Sequence, residues 1–251
     1  MLTEERQQAI TAYINDNDFC RVAELCKLTD SSESTIRRDL IDLEKRGAIV
    51  RVHGGARSLQ DYSRDVEQGV RFNLNVDKKR EIAEYAVKQH VKSGEHIYLD
   101  AGTTVYEMVP FLKKIKNLHV VTNGVDIALA CIEAHIHTRL VGGEAKFETH
   151  AIVGSTALQE LEGMNFSTAF IGANGLTEEG KFTTPDPGEA AIKQSGVKQT
   201  KKVFILMDDS KIGAANFASF ANIDEATLIT NHLDKSKKEF LPKNVKLEEA
   251  K

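Results

Sequence analysis

The sequence predicts two folded parts in one chain: a small winged helix-turn-helix unit, then a larger α/β domain built on a largely parallel sheet. Three observations carry this reading. Residues 1–57 hold three helix-like segments and a strand that runs into a glycine turn, a complete small unit. From Asp77 onward helical stretches alternate with short strand-like apolar runs, the rhythm of an α/β sheet. Most of those runs are continuously apolar, as expected of strands covered on both faces. The division that follows is 1–57, a linker over 58–76, and 77–251.

In the first part, Thr3 to about Asn15 places Ile10, Tyr13 and Ile14 at helical spacing. A short second helix over Arg21–Lys27 buries Val22 and Leu25. Thr29-Asp30-Ser31-Ser32 is rich in turn and N-cap residues, and a third helix follows. Its Ile36, Leu40 and Leu43 fall at i, i+4 and i+7 on one stripe, and Gly47 is a fitting stop. Ala48 to Ala56 reads as a strand and a glycine turn. The stretch 58–76 shows no sustained periodicity. A helix returns from Asp77 to Lys92, and strands are expected at His96–Asp100, Leu118–Thr122, Thr138–Gly142, Thr168–Gly172, Lys202–Asp208 and Ala226–Thr230. The charged tail from Leu233 is expected to end in a short or frayed helix.

Composition narrows the class. With 251 residues, 41% apolar and 28% charged, the chain is an ordinary globular protein large enough to fold without staples. No apolar run reaches the roughly 18 residues of a membrane span. The N-terminus is polar and acidic where a signal peptide is basic and then apolar, so a cytoplasmic address is expected. Cys20, Cys26 and Cys131 form neither a disulfide framework nor a zinc knuckle. His135 and His137 alternate along an apparent strand, but with no third ligand of matching spacing no metal site is expected, and no cofactor.

The net charge of −4 argues against nucleic acid, but its distribution does not. Residues 37–57 carry six basic side chains (Arg37, Arg38, Lys45, Arg46, Arg51, Arg57) against three acidic ones. With the apolar stripe facing inward, Thr35, Arg37, Arg38 and Asp42 project outward, where two arginines near a helix start suit guanine and phosphate contacts. Ser32 can cap that helix, and Asp39 suits an internal arginine partner. A solvated helix with i,i+4 charge pairs would look similar. The wing tips the balance: Arg51 and His53 flank Gly54 and Gly55, whose small size lets backbone approach a phosphate.

Ser32 to Ala56, S-E-S-T-I-R-R-D-L-x-x-L-E-x-x-G-x-I-x-R-V-H-G-G-A, resembles the N-terminal signature of the DeoR family of bacterial regulators. The resemblance implies a recognition helix over S-E-S-T-I-R-R-D-L and a wing at R-V-H-G-G-A. It places double-stranded operator DNA against Ser32, Ser34, Thr35, Arg37, Arg38, Arg51, His53, Gly54 and Gly55. Arg21 stands where the family often has Ser or Thr ahead of helix two, which weakens one cap.

Four segments of the second part read as oxyanion-binding loops at strand ends. Asp100-Ala101-Gly102-Thr103-Thr104 follows a strand and opens a helix, so backbone N–H groups and two hydroxyls converge. Thr122-Asn123, Gly142-Gly143 and Gly172-Ala173-Asn174-Gly175 end other strands. In open α/β sheets ligands sit beyond the carboxyl ends of the strands, although any one such loop is more often just a turn. Glu189 can take sugar hydroxyls and Lys211 can approach a phosphate. Each also fits an ordinary structural role, as a helix-start carboxylate and a surface lysine.

Lys78, D-x-G-T-T, T-N, G-G, G-x-N-G, the Glu189 segment and D-x-S-K-x-G again resemble the DeoR family, in its C-terminal sensor domain. That implies a fold related to ribose-5-phosphate isomerase and glucosamine-6-phosphate deaminase, and a bound sugar phosphate at Asp100, Gly102, Thr103, Thr104, Thr122, Asn123, Gly142, Gly143, Asn174, Gly175, Glu189 and Lys211. The stretches Tyr98–Thr104, Val121–Gly124, Ile152–Leu158 and Phe182–Pro187 resemble the branch that governs fructose operons, which implies fructose 1-phosphate as effector. A homo-oligomer, dimer or tetramer, and a repressor follow from the same likeness. The rival is a sugar-phosphate isomerase or deaminase with an accessory DNA reader, using Asp100 or Glu189 as its base. A dedicated DNA reader in front favours binding over turnover, so no enzyme is expected.

Overall fold

The computed structural model describes residues 2–17, 19–45, 48–52, 54–58 and 68–251. Contacts separate an N-terminal unit, which holds the residues up to 58 together with Gly69–Asn75, from a second unit holding Val76–Lys251.

The first unit runs α1 (Thr3–Asn17), β1 (Phe19–Arg21), α2 (Val22–Thr29), α3 (Glu33–Lys45), β2 (Ile49–Val52), β3 (Gly55–Ser58) and α4 (Gln68–Asn73). Its core is the set that helical spacing selects: Ile10, Ile14, Leu25, Ile36 and Leu40 are at most 1% exposed. Each such side chain contributes roughly 1.5–3 kcal/mol relative to exposure. Asp30 closes α2 in the left-handed region, with φ 48°, a conformation that a short polar side chain tolerates. The expected single strand and turn is a β2–β3 hairpin, and β1, which spacing alone did not suggest, adds to it in the order β1-β3-β2. In the stretch read as a linker, Ser58 still belongs to β3 and α4 follows; Gly47 lies outside the described residues.

The second unit runs α5 (Val76–His90), β4 (His96–Leu99), α6 (Thr103–Tyr106), α7 (Val109–Leu112), β5 (His119–Thr122), α8 (Val125–Glu133), β6 (His137–Leu140), β7 (Glu144–Ala145), β8 (Ile152–Val153) and α9 (Ser155–Glu162). It continues through β9 (Phe166–Gly172), β10 (Gly175–Leu176), β11 (Lys181–Thr184), α10 (Pro187–Lys198), β12 (Thr200–Leu206), β13 (Ala218–Asn222), β14 (Thr227–Thr230), α11 (Lys235–Phe240) and β15 (Lys246–Glu249). Seven strands pair in the order β15-β14-β12-β9-β4-β5-β6, every pair parallel. One core, with Tyr98, Phe166 and Ile171, packs on one face, and a second, with Ile82, Ile97 and Val120, packs on the other. The double cover explains the continuously apolar runs.

Two features depart from expectation. The tail contains α11 and then β15, which pairs with β14 and forms a sheet edge. Its charges are held in place: His90 meets Glu248 at 2.7 Å and Lys238 meets Glu249 at 2.7 Å. Small antiparallel sheets, β10-β11-β13 and β7-β8, also stand beside the main one.

The topology locates the site. From β4 the chain moves outward through β5 and β6, then returns to the other side of β4 as β9 and moves outward the opposite way. The order reverses between β4 and β9, and the crevice beyond their carboxyl ends is where such sheets take ligands.

Candidate functional site

In the first unit α3 presents three of the four residues that the stripe sets outward, and Thr35 is half-buried. Ile36, Leu40 and Leu43 are buried, while Arg37, Arg38 and Asp42 are exposed. Ser32 caps α3, its Oγ accepting from Thr35 N–H at 3.3 Å, and hydroxyls of Ser34 and Thr35 lie 3.0 and 2.9 Å from it. Arg37 pairs with Glu33 at 2.6 Å, both more than half exposed, and an exposed pair of this kind is weak enough to re-partner with a phosphate. Arg38 has no partner among the described residues. Asp39 is the internal anchor, only 3% exposed, taking both Nε and Nη2 of Arg6 at 2.6 and 3.2 Å and Gln7 Nε2 at 3.1 Å. It fixes α3 to α1 and reads no base.

The wing differs in detail. Arg51 is exposed beside Glu44, with its N–H donating to that carboxylate at 3.0 Å. Gly54 turns the hairpin at φ 83°. Gly55, expected to admit a phosphate, is buried instead. A Cβ there would lie 2.1 Å from the Cys20 carbonyl oxygen, so glycine is required by the β1–β3 contact. His53, Arg46 and the Lys45 side chain lie outside the described residues.

In the second unit three loops converge at the switch point. A Cβ on Gly102 would lie 3.3 Å from Gly172 Cα, and one on Gly124 would lie 3.0 Å from Ala101 Cα. Asp100, 1% exposed, ties them together: its Oδ2 accepts from Gly172 N–H at 3.0 Å and from Lys193 Nζ at 2.5 Å. Lys193, 4% exposed, also donates to the Gly172 carbonyl at 3.1 Å. Sequence reading missed Lys193, on α10, because it stands 93 residues from its partner Asp100.

Asn123 is a bolt between elements. Its Oδ1 accepts from Tyr98 Oη at 2.9 Å and from Ala101 N–H at 3.1 Å, and its amide donates to the Ile152 carbonyl at 3.3 Å. Burial, and then the nearby charge of Asp100, push the Tyr98 phenol well above its ordinary range, so it stays a donor. Thr122 Oγ1 takes Gly124 N–H at 3.0 Å. By contrast, the Thr103 and Thr104 hydroxyls have no partner among the described residues, although both residues are over nine-tenths buried.

The remaining expected residues make contacts of their own. Glu189, 5% exposed, accepts through Oε1 from Thr149 Oγ1 at 2.6 Å and from Lys146 Nζ at 3.3 Å. Lys146 also reaches Asp186 at 3.1 Å; Lys146 and Thr149 carry no motif that would have announced them. Asn174 Oδ1 receives the Thr184 hydroxyl at 3.2 Å. Gly142 N–H donates to Glu160 at 3.3 Å. Gly143, at φ 145°, and Gly175 are both demanded by close backbone, since a Cβ would lie 2.5 Å from Val153 O or 2.3 Å from Ala214 O.

Lys211 is half-buried on a 3-10 turn, Asp209–Lys211, beside buried Asp208. Burial raises the Asp208 carboxyl, but Lys211, Ser210 and Lys79 together outweigh it and hold it below its ordinary value. Lys78 meets Asp209 at 2.7 Å. His135, at φ 58°, is a turn residue ahead of β6 and does not share a strand with His137. Among the described residues no group of three or more His, Cys, Asp or Glu can hold a metal ion, and no helix is long and apolar enough to cross a membrane.

Comparison with known proteins bears on both units. Residues 6–61 match the DeoR-like helix-turn-helix domain and residues 74–232 the DeoR C terminal sensor domain. The chain is 45% identical to the uncharacterized HTH-type transcriptional regulator FruR of Bacillus subtilis, over 92% of this chain and 91% of that one. It is 36% identical to the HTH-type transcriptional regulator GlpR of Haloferax volcanii, covering 91% and 89%. It is 31% identical to the lactose phosphotransferase system repressor of Staphylococcus epidermidis, covering 94% of each. Among solved structures, ribose 5-phosphate isomerase A of Methanocaldococcus jannaschii overlaps 55% of each chain with a TM-score of 0.42 and 19% identity.

Proposed function

Because the chain belongs to the DeoR family of helix-turn-helix transcription regulators, we propose that it represses a sugar-utilisation operon and leaves its operator when a phosphorylated sugar, fructose 1-phosphate, binds the second unit. Residues 1–57 read DNA in the cytoplasm, 58–76 link, and 77–251 sense. Arg38 and Arg37 contact the major groove, and Ser32, Ser34, Thr35, Arg51, His53 and Gly54 meet the backbone beside it. A homo-oligomer presents paired readers to paired half-sites.

The observation that carries the sensor reading is the pair of unpartnered hydroxyls at Thr103 and Thr104, set at the switch point on a floor whose other polar groups bond one another. A phosphate seated there accepts from both hydroxyls and from the N–H groups of Thr103 and Thr104 that open α6. Asp100, Lys193 and Asn123 hold that turn, and Glu189 and Asn174 face the sugar. By linkage, operator DNA weakens effector binding by the same factor as effector weakens operator binding.

The test begins with an operator selected from a random DNA pool by the purified full-length protein, followed by titration of the complex with a panel of sugar phosphates. Fructose 1-phosphate is expected to release DNA at the lowest concentration and to be recovered unchanged. Thr103→Val keeps the shape and removes one donor to a charged group, about 1.5–3 kcal/mol, so release should need roughly 10- to 150-fold more effector. Release at the wild-type concentration would reduce the Asp100–Thr104 segment to a turn.

A further inference from the structure

His96, His119 and His137 are the first residues of β4, β5 and β6, and they stand opposite one another across these parallel strands. Their side chains therefore project from one face of the sheet. The His96 and His119 rings stack at 4.5 Å with 5° between planes, and His119 and His137 at 5.2 Å with 18°. All three residues are exposed, so they are not core histidines. They line a groove of about 470 Å³ with Arg139, Asn165 and Phe166. The sensor loops follow the opposite ends of the same strands, roughly 13 Å away for four residues of strand.

The lining decides what fits. Among the described residues no carboxylate lines this groove; three imidazoles, a guanidinium and an amide do. Among the described residues these rings form no group that could hold a metal ion. An oxyanion needs N–H donors and positive charge. An imidazole gives one N–H when neutral and two when protonated, and a guanidinium forks onto two oxygens.

We propose that this groove is a second anion site, which takes a doubly charged phosphate group through the three histidines, Arg139 and the Asn165 amide. Charged groups on these strands and their neighbours include Arg139 of β6, Glu160 and Glu162 of α9, Asp126 and Glu133 of α8, Glu95 ahead of β4, and Lys201 and Lys202 of β12. Glu160 sits 3.8 Å from Arg139 and accepts Gly142 N–H, and Glu95 accepts Lys92 N–H. Neither carboxylate enters the stack. An imidazolium offers a dianion one more N–H than a neutral imidazole, and a positive charge, so affinity rises as pH falls.

The experiment follows the imidazole resonances of the full-length protein by long-range proton–nitrogen NMR while inorganic phosphate, and separately zinc, is added. Phosphate is expected to shift the three rings together and saturably, several-fold more tightly at about pH 6 than at about pH 8. His119→Gln and Arg139→Gln should each weaken the response roughly tenfold. Thr103→Val, which acts at the other end of the strands, should leave it intact. Absence of a saturable response, wild-type behaviour in both groove variants, ring shifts with zinc but not phosphate, or loss of the response in Thr103→Val would each overturn the assignment.

Discussion

Replacing Lys193 by Met leaves the Asp100 carboxylate 1% exposed, with its ammonium partner gone and one protein donor, Gly172 N–H, remaining. Both ends of this pair are out of water, so solvent screening does not soften the loss. Removing one member of a buried pair costs about 3–5 kcal/mol, because the remaining charge has nowhere to go. For a unit of this size 1 kcal/mol moves the midpoint by about 2–4 °C, so the second unit should melt roughly 6–20 °C lower. Calorimetry of the full-length protein resolves that transition. The discriminating variant is the double one, Lys193→Met with Asp100→Asn. It removes both charges and should recover most of the loss, while a merely packed lysine stem predicts no recovery. A single variant that melts within a degree or two of the wild type, or a double variant no better than the single, would refute the reasoning.

Three further outcomes follow from other residues. Asp208 is held below its ordinary 3.8, so its charged form stabilises the fold above that pH, and the contribution is lost as pH falls through the lower folded value. Asp208→Asn should therefore cost about 2 kcal/mol at neutral pH, with the two stability curves converging in acid; a gap independent of pH would contradict it. Burial pushes the Cys131 thiol up to about 11, against a lowering hydrogen bond from Thr138, and also raises Cys20. Alkylation of the native protein should therefore mark half-buried Cys26 first, and equal labelling of Cys131 in a mass map would show that its pocket opens. Gly55→Ala forces a methyl against the Cys20 carbonyl and should cost the first unit about 1–3 kcal/mol, read as faster amide exchange in β1 and β3 alone.

How far the sequence could be read follows from the range of each interaction. The stripe Ile36, Leu40, Leu43 and the runs of β4, β5, β9 and β12 are local patterns, and burial follows them. β15 reads in sequence as part of a short or frayed helical tail because Lys246-Leu247-Glu248-Glu249 is rich in helix formers. At a sheet edge the same charges find partners in His90 and Lys238. β7, β8 and β10 are two residues long, too short to show any period. Lys193 and the histidine stack lie beyond local reading for a different reason: their partners are neighbours only once the strand order is known. Gly55 and Gly175 show a third limit. A glycine in a motif announces close approach but does not say to what, and here the visitor is the chain's own backbone.

The switch-point floor also constrains how a ligand can act. Asp100, Lys193, Asn123 and Tyr98 are buried and bonded to one another and to the turn they support. Groups so committed hold Thr103 and Thr104 in one geometry with or without a guest, which saves ordering cost and favours affinity. A ligand shifts an equilibrium only by the difference between its affinities for the two states, and contacts made equally in both shift nothing. Under the proposed function, a phosphate subsite at this turn therefore sets the working concentration of effector more than the direction of its effect. That direction has to arise from groups whose partners can change, and the sugar end of the ligand is where such groups lie. Glu189 belongs to α10, while Lys146 and Thr149 belong to the β7–β8 hairpin, so these side-chain bonds join two elements that a ligand hydroxyl entering between them would re-pair. The proposed function therefore predicts that sugars carrying the same phosphate bind alike at the turn and differ in the response they evoke.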